Sequence, residues 1–369
     1  MTAKKSTSNG ASSSRDIGST ASVFLQVTGN VYPKGHYYVT MNIGNPSKSY
    51  FLDIDTGSDL TWVQCDTPWS TSLPAPHPPY KPTGDIVKCD DPLCVAFHWP
   101  ETPTCETPNQ CDYGVEYADR GKSFGILIKD SFSFRYTNGT VTSPHIAFGC
   151  SLQQVVPNGV TPPHLDGVLG LGLGKVGILS QLQELGVTKN VVGHCFSSQG
   201  DGYIKHYSLG TAELFVGEKT SGMKGLPILF DSGSTYTYFS AAAYKLIVSL
   251  LMNDIIGKQL NTADEDKTLP ICWKGSTPFT SVQDVRDLFK PIGLSFSNSR
   301  NVRFQIDPQG YLIITEHGNA CLGILNGTEV GLGDLNLIGD ISFQDKLIIY
   351  DNMKKQIGWG PANCNKLPK

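Results

Sequence analysis

The chain has 369 residues, 39% hydrophobic and 17% charged, with 39 Gly, 23 Pro and 10 Cys. That length buries a sizeable core and, at about 100–200 residues per domain, gives two domains or one large β domain. The net charge is −4. Basic residues form no patch, so nucleic acid has no electrostatic footing as a partner. No stretch approaches about 18 apolar residues, so no membrane-spanning helix is expected.

Residues 1–30 read as a polar tail rich in Ser and Thr, with Val23-Phe24-Leu25 its one apolar run. No signal peptide is visible, and a processed or trimmed form is expected. From His36 to Gly44 polar and apolar residues alternate as in a strand, closed by a Gly-Asn-Pro turn. Ser49 to Asp55 gives a second strand, apolar at Phe51, Leu52 and Ile54. Residues 66–110 are rich in Pro and Cys and read as a disulfide-stapled loop region. Val115 to Phe134 reads as a hairpin turning at Asp119-Arg120-Gly121-Lys122, and Ile178 to Leu185 as a short helix.

The second half opens with a strand, Gly225 to Asp231. Ala241 to Ile256 carries Leu246, Ile247, Leu250, Leu251 and Ile255 at helical spacing. Ser281-x-x-Asp284 has the form of a capping box for a short helix reaching Lys290. Strands follow at Tyr311–Ile314 and Leu347–Tyr350. Many short Val, Ile, Thr, Tyr and Phe runs between Gly and Pro turns predict a mainly β protein with a few short helices.

An internal repeat organises these elements. Asp55-Thr56-Gly57-Ser58 is followed by Val168-Leu169-Gly170, and Asp231-Ser232-Gly233-Ser234 by Leu337-Ile338-Gly339, at similar distances. Two lobes of like layout are implied, each offering one carboxylate. Each Asp ends an apolar strand, and the following Gly permits a tight turn and close approach of backbone N–H groups. Hydroxyls at Ser58 and Ser234 are placed to donate to the outer carboxylate oxygens. Two facing carboxyls cannot both ionise comfortably, so the pair holds one proton. The ionised member then takes a proton from a water while the protonated one polarises a peptide carbonyl. Aspartic proteases are the standing example of this coupling. No cofactor or metal is needed for such hydrolysis.

Other chemistries lack their motifs. No Gly-x-Ser-x-Gly supplies a nucleophile elbow, and the eight His contain no H-E-x-x-H. Cys89-x4-Cys94 and Cys105-x5-Cys111 lack the spacing of a zinc site. Ten cysteines therefore read as disulfides formed in an oxidising compartment, in the secretory pathway and then extracellular or vacuolar. Sequons at Asn138 and Asn326 agree with glycosylation there.

With these motifs the chain resembles the pepsin-type aspartic proteases, from about residue 31 to 364. The marks are Asp55-Thr56-Gly57-Ser58 with Trp62 following, Asp166 to Gly172, Phe230 to Thr235, and Leu337-Ile338-Gly339-Asp340. Asn30-Val31-Tyr32-Pro33 before Gly35-His36-Tyr37-Tyr38, and Cys272-Trp273-Lys274-Gly275, resemble the plant nucellin-like group. The resemblance implies a bilobal pepsin-like fold with the active-site cleft between lobes. A tail would cover 1–32, the lobes 33–197 and 198–364, and a short tail 365–369. Asp55 and Asp231 would form the catalytic pair, with Thr56 and Ser232 cross-linking the two loops. The hairpin from Val115 to Leu127 would be a flap, its Tyr117 hydroxyl meeting Trp62. Disulfides Cys89–Cys111, Cys94–Cys105, Cys195–Cys364 and Cys272–Cys321 are implied, leaving Cys65 for Cys150.

The match departs in one place. After Cys195, Gly202-Tyr203-Ile204 runs almost directly into Lys205-His206-Tyr207-Ser208, where the resemblance leads one to expect about two dozen further residues. Their loss is expected to leave a sheet edge unpaired. The expected function is acid-favoured hydrolysis of internal peptide bonds in an extended protein or peptide substrate. The alternative is a catalytically impaired protein of the same fold that binds a protein or glycan as an inhibitor. A monomer is expected, because one chain carries both carboxylates.

Overall fold

The computed structural model describes residues 22–105, 107–157, 161–198, 202–203, 210–296 and 302–365. Lys205-His206-Tyr207-Ser208 lie outside the described residues, as do 1–21 of the expected tail and 366–369. The described residues form a 14-stranded sheet, an 8-stranded sheet and a 4-stranded sheet, with few and mostly short helices.

The repeat seen in the sequence recurs in the strand pairing. Lys48–Asp55 pairs antiparallel with His36–Ile43 and parallel with Gly167–Gly170, with Gly170 opposite Asp55. Gly167–Gly170 pairs in turn with Trp62–Gln64. In the second half Leu226–Phe230 pairs antiparallel with Gly210–Val216 and parallel with Asn336–Ile338, which pairs with Thr237–Phe239. Each half therefore threads the chain from its Asp around the strand that ends in the closing Gly. Tyr50, Leu52 and Ile54 alternate inward on the first Asp strand. That period of two leaves Asp53 and Asp55 together on the other face.

The halves meet where Val191–Phe196 pairs antiparallel with Lys346–Asp351, Gly193 opposite Ile349. Each of these strands turns back as a hairpin, into Gly202–Tyr203 and Gln356–Pro361 respectively. Aromatic rings fill the junction: Tyr37 stacks on Phe196, and Phe343 lies against His194, Phe230 and Phe304. Helix Ala241–Ile255 buries Ala243, Ile247, Leu251 and Ile255, a stripe at every fourth residue, as its spacing predicts. Ser281 and Asp284 form the reciprocal capping box, over a 3₁₀ turn at Val282–Asp284 and a second at Arg286–Leu288.

Two sequence expectations need correction. Val27–Asn30, assigned to the tail, is a strand paired with His36–Val39. Its polar Thr28 and Asn30 hid it, although Val27 is fully buried. The second correction concerns the disulfides. Cys65–Cys150, Cys195–Cys364 and Cys272–Cys321 form as expected. The remaining four are crossed, not nested: Cys89–Cys105 and Cys94–Cys111. The short helix Pro92–His98, capped by Asp91, turns Cys94 inward onto Cys111. Both are fully buried, while Cys89 and Cys105 stay half-buried outside them. Burial, which spacing does not encode, sorts the pairs.

Candidate active site

Both Asp-Thr/Ser-Gly-Ser turns meet at the junction of the lobes. Oδ1 of Asp55 accepts the N–H of Gly57 at 2.8 Å and of Ser58 at 3.2 Å, and its Oδ2 accepts the Ser58 hydroxyl. Oδ1 of Asp231 accepts the N–H of Gly233 at 3.0 Å. The two carboxyls lie close enough for each to shift the other's titration. The expected bond from the Ser234 hydroxyl to Asp231 is not made among the described residues. Ser234 instead offers its carbonyl to the N–H of Asp340 at 2.8 Å.

The glycines are required by close approach. A Cβ on Gly57 would sit 2.8 Å from Oδ1 of Asp231, and one on Gly233 would sit 2.6 Å from Oδ1 of Asp55. Both are closer than side-chain carbons and oxygens normally come, so each lobe's glycine admits the other lobe's carboxyl. Gly57 and Gly233 are exposed, so the pair opens to solvent between them, while Asp55 itself is only 7% exposed.

The two loops are locked together. The Thr56 hydroxyl donates to the Phe230 carbonyl at 3.2 Å and accepts the Ser232 N–H at 2.7 Å. The Ser232 hydroxyl donates to the Ile54 carbonyl at 2.9 Å. Over Asp55 lies the hairpin of Asp112–Glu116 and Lys122–Arg135. Its turn is closed by Tyr117 N–H to the Gly121 carbonyl and Arg120 N–H to the Tyr117 carbonyl, with Arg120 in the left-handed region. The indole N–H of Trp62 donates to the Tyr117 hydroxyl at 2.6 Å. The tryptophan is thus the donor in the contact expected between them.

Burial raises the pKa of both catalytic candidates. In Asp55 the rise is opposed by the hydrogen bonds from Ser58 and Gly57. In Asp231 the charge of Asp55 adds to burial, and the carboxyl is pushed up to about 7. Asp55 accepts three hydrogen bonds from its own turn and Asp231 one, so the geometry favours Asp55 as the anion of the pair.

Sequence reasoning missed two further carboxyls. Burial, then the charge of Asp55, raises Asp53, which precedes Asp55 by two residues on the same strand face. Burial, then the charges of Asp53, Asp231 and Asp55, raises Asp340. Oδ1 of Asp340 is buried without a hydrogen-bond partner among the described residues. The period-two position of Asp53, and the Asp340 that follows the closing Gly339, were the signals available. Asp166 has a supporting role: it accepts the N–H groups of Phe51 at 2.6 Å and His77 at 3.0 Å, bracing the middle of the Asp55 strand. Asn138 stands exposed at a hairpin tip, whereas Asn326 is half-buried with its amide on Glu329.

The chain is similar to known proteins over most of its length. The family model described as Xylanase inhibitor N-terminal matches residues 37–205, and that described as Xylanase inhibitor C-terminal matches 205–361. An aspartic proteinase of Oryza sativa subsp. japonica is 38% identical, over 95% of this chain and 93% of its own length. Aspartic proteinase 36 of Arabidopsis thaliana is 28% identical, over 90% and 74%. Among solved structures, basic 7S globulin from soybean superposes with a TM-score of 0.70 at 12% identity, covering 94% of this chain and 98% of that one. The structure of edgp gives a TM-score of 0.71 at 16% identity, covering 93% and 95%. These two likenesses establish the pepsin-like fold.

Proposed function

The chain belongs to the plant pepsin-type aspartic protease family matched by these models, and from that membership we propose that it is an aspartic endopeptidase. The observation that carries the proposal is the facing of Asp55 and Asp231 across two loops locked by Thr56 and Ser232. Asp55, held as the anion by Gly57 and Ser58, takes a proton from a water lying between the carboxyls. Asp231, kept protonated by burial and by the charge of Asp55, donates toward the substrate carbonyl oxygen. Water attacks the carbonyl carbon, and the tetrahedral intermediate collapses with a proton passed to the leaving amine. No covalent enzyme intermediate forms. The Tyr117 hairpin acts as a lid that excludes water and orders an extended peptide. A preference for apolar side chains beside the scissile bond is expected.

Five disulfides fit an oxidising compartment, and we assign the protein to the secretory pathway, extracellular or vacuolar. Asn138 is the better-exposed acceptor for a glycan. Cys272-Trp273-Lys274-Gly275 favours the nucellin-like branch.

A second reading draws on the description of the matching models as xylanase inhibitor. In it the fold binds another protein without cleaving peptides. Cleavage of an unfolded protein substrate at acid pH, with and without pepstatin and beside Asp55→Asn, separates the two. Pepstatin-sensitive cleavage that disappears in Asp55→Asn supports the protease; a folded wild-type protein that cuts nothing supports the binder.

A further inference from the structure

The internal symmetry of the central sheet leaves one strand without its neighbour. In the first half, Gly202–Tyr203 carries Val27–Asn30 on its far side, antiparallel, with Val27 opposite Gly202. Val27–Asn30 then continues along His36–Val39 into the first lobe's sheet. Gln356–Pro361 holds the matching position beside Lys346–Asp351, yet among the described residues no strand pairs with its far side. Among the described residues no segment lies there. Only residues 204–209 separate Tyr203 from Gly210–Val216, the counterpart of His36–Ile43.

The edge is open and nearly undefended. The Ala362 N–H bonds the Asp345 carbonyl at 2.9 Å. By antiparallel alternation, residues 356, 358 and 360 then turn their backbone groups toward Lys346–Asp351, and Ile357 and Trp359 turn theirs outward. The Trp359 ring is anchored on Phe296 and Phe304, so the strand is held in place. Gly358 is exposed, and a Cβ there or at Gly360 would meet nothing within 4 Å. No charge lies within 356–361, although charged residues are a usual guard of free edges.

We propose that Gln356–Pro361 pairs with the same strand of a second copy of this chain, forming a two-fold dimer through one continuous sheet. Two copies supply the antiparallel direction that the first half uses. Centred on Gly358, the register sets Ile357 against the second copy's Trp359 and satisfies the outward groups of both. Lys354 and Lys355 then fall opposite Ala362 and Pro361, so no like charges meet, and the N–H that Pro361 lacks falls outside the paired core. The chain's own residues 1–21 are an unsuitable occupant, being mostly Ser, Thr, Lys and Gly with little strand preference. Each copy keeps its own Asp55 and Asp231, so the dimer is independent of catalysis.

Sedimentation equilibrium of the full chain up to about 100 µM tests the pairing. Wild type is expected to dimerise. Gly358→Glu, which has room in the single copy, sets two carboxylates opposite each other across the axis and should weaken dimerisation at least about tenfold. Mixing it with Gly358→Lys should restore a heterodimer, which also shows that both variants fold. A wild type that stays monomeric throughout, or a Gly358→Glu protein that dimerises as wild type does, overturns the proposal.

Discussion

At the scale of single residues, the site depends on a few short contacts whose partners lie far apart in sequence. The Trp62 to Tyr117 bond joins the strand after the Asp55 turn to the Tyr117 hairpin, so under the proposed function it couples the lid to the carboxyl pair. Tyr117→Phe removes the acceptor and leaves the indole N–H without a partner. The expected result is a fall in kcat/KM of about tenfold, corresponding to about 1.4 kcal/mol of transition-state stabilisation. Circular dichroism and the melting temperature should stay near wild type, because the loss is confined to the lid. An unchanged kcat/KM would remove the lid role. That Thr56 and Ser232 join the Asp55 and Asp231 turns, and that Trp62 meets Tyr117, was legible, since each belongs to a motif with a chemical reason for its residue types. Asp53 and Asp340 were given no role, because neither a lone Asp within an apolar strand nor one that opens a short helix after Gly339 shows which carboxyls fold beside it.

Individual elements were legible where periodicity is strong. The helix stripe of Ala243, Ile247, Leu251 and Ile255 and the alternation in Lys48–Asp55 are direct readings of 3.6 and 2. Val27–Asn30 was missed because it is short and half polar, and its pairing with His36–Val39 is a tertiary fact. The crossed disulfides were missed for a similar reason. Non-reducing peptide mapping should yield Cys89 linked to Cys105 and Cys94 linked to Cys111. The double change Cys94→Ala, Cys111→Ala opens a buried bridge that closes a 17-residue separation. It should cost about 3 kcal/mol in denaturant unfolding. Removing the more exposed Cys89–Cys105 pair should cost no more than that, since less packing is disturbed with it.

For the whole molecule, the gathering of Asp53, Asp55, Asp231 and Asp340 makes stability depend on pH. All four hold protons more tightly when folded than when unfolded, because burial raises each of them. Stability from such groups is fully present below the ordinary carboxyl pKa of about 4 and is lost as pH rises through the folded values. His194 acts in the opposite sense. It is buried and its pKa is lowered to about 3, so it costs stability as pH falls below its ordinary value. Burial lowers His36 as well. Asp91, Glu265, Asp266, Asp284 and Asp351, held below the ordinary carboxyl range, lose stability only as pH falls below about 4. From pH 5 upward four raised carboxyls therefore stand against two histidines. Thermal denaturation should show a melting temperature that falls from pH 5 toward pH 8. Asp340→Asn removes one carboxyl that must otherwise ionise while buried. It should raise the melting temperature at pH 7 by about 2–4 °C and change it little near pH 4. An equal shift at both pH values would mean that charge is not the cause.

The most direct measurement is the pH profile of kcat/KM for an unfolded peptide substrate, from about pH 3 to about pH 8, for wild type and Asp231→Asn. A single shared proton predicts a bell. Activity falls on the acid side as Asp55 takes up a second proton, and on the alkaline side as Asp231, raised to about 7, loses the first. Asp231→Asn should abolish turnover at every pH. A bell-shaped profile lost in the variant is the result expected. Hydrolysis that survives Asp231→Asn, or none from a folded wild-type chain at any pH, would contradict it.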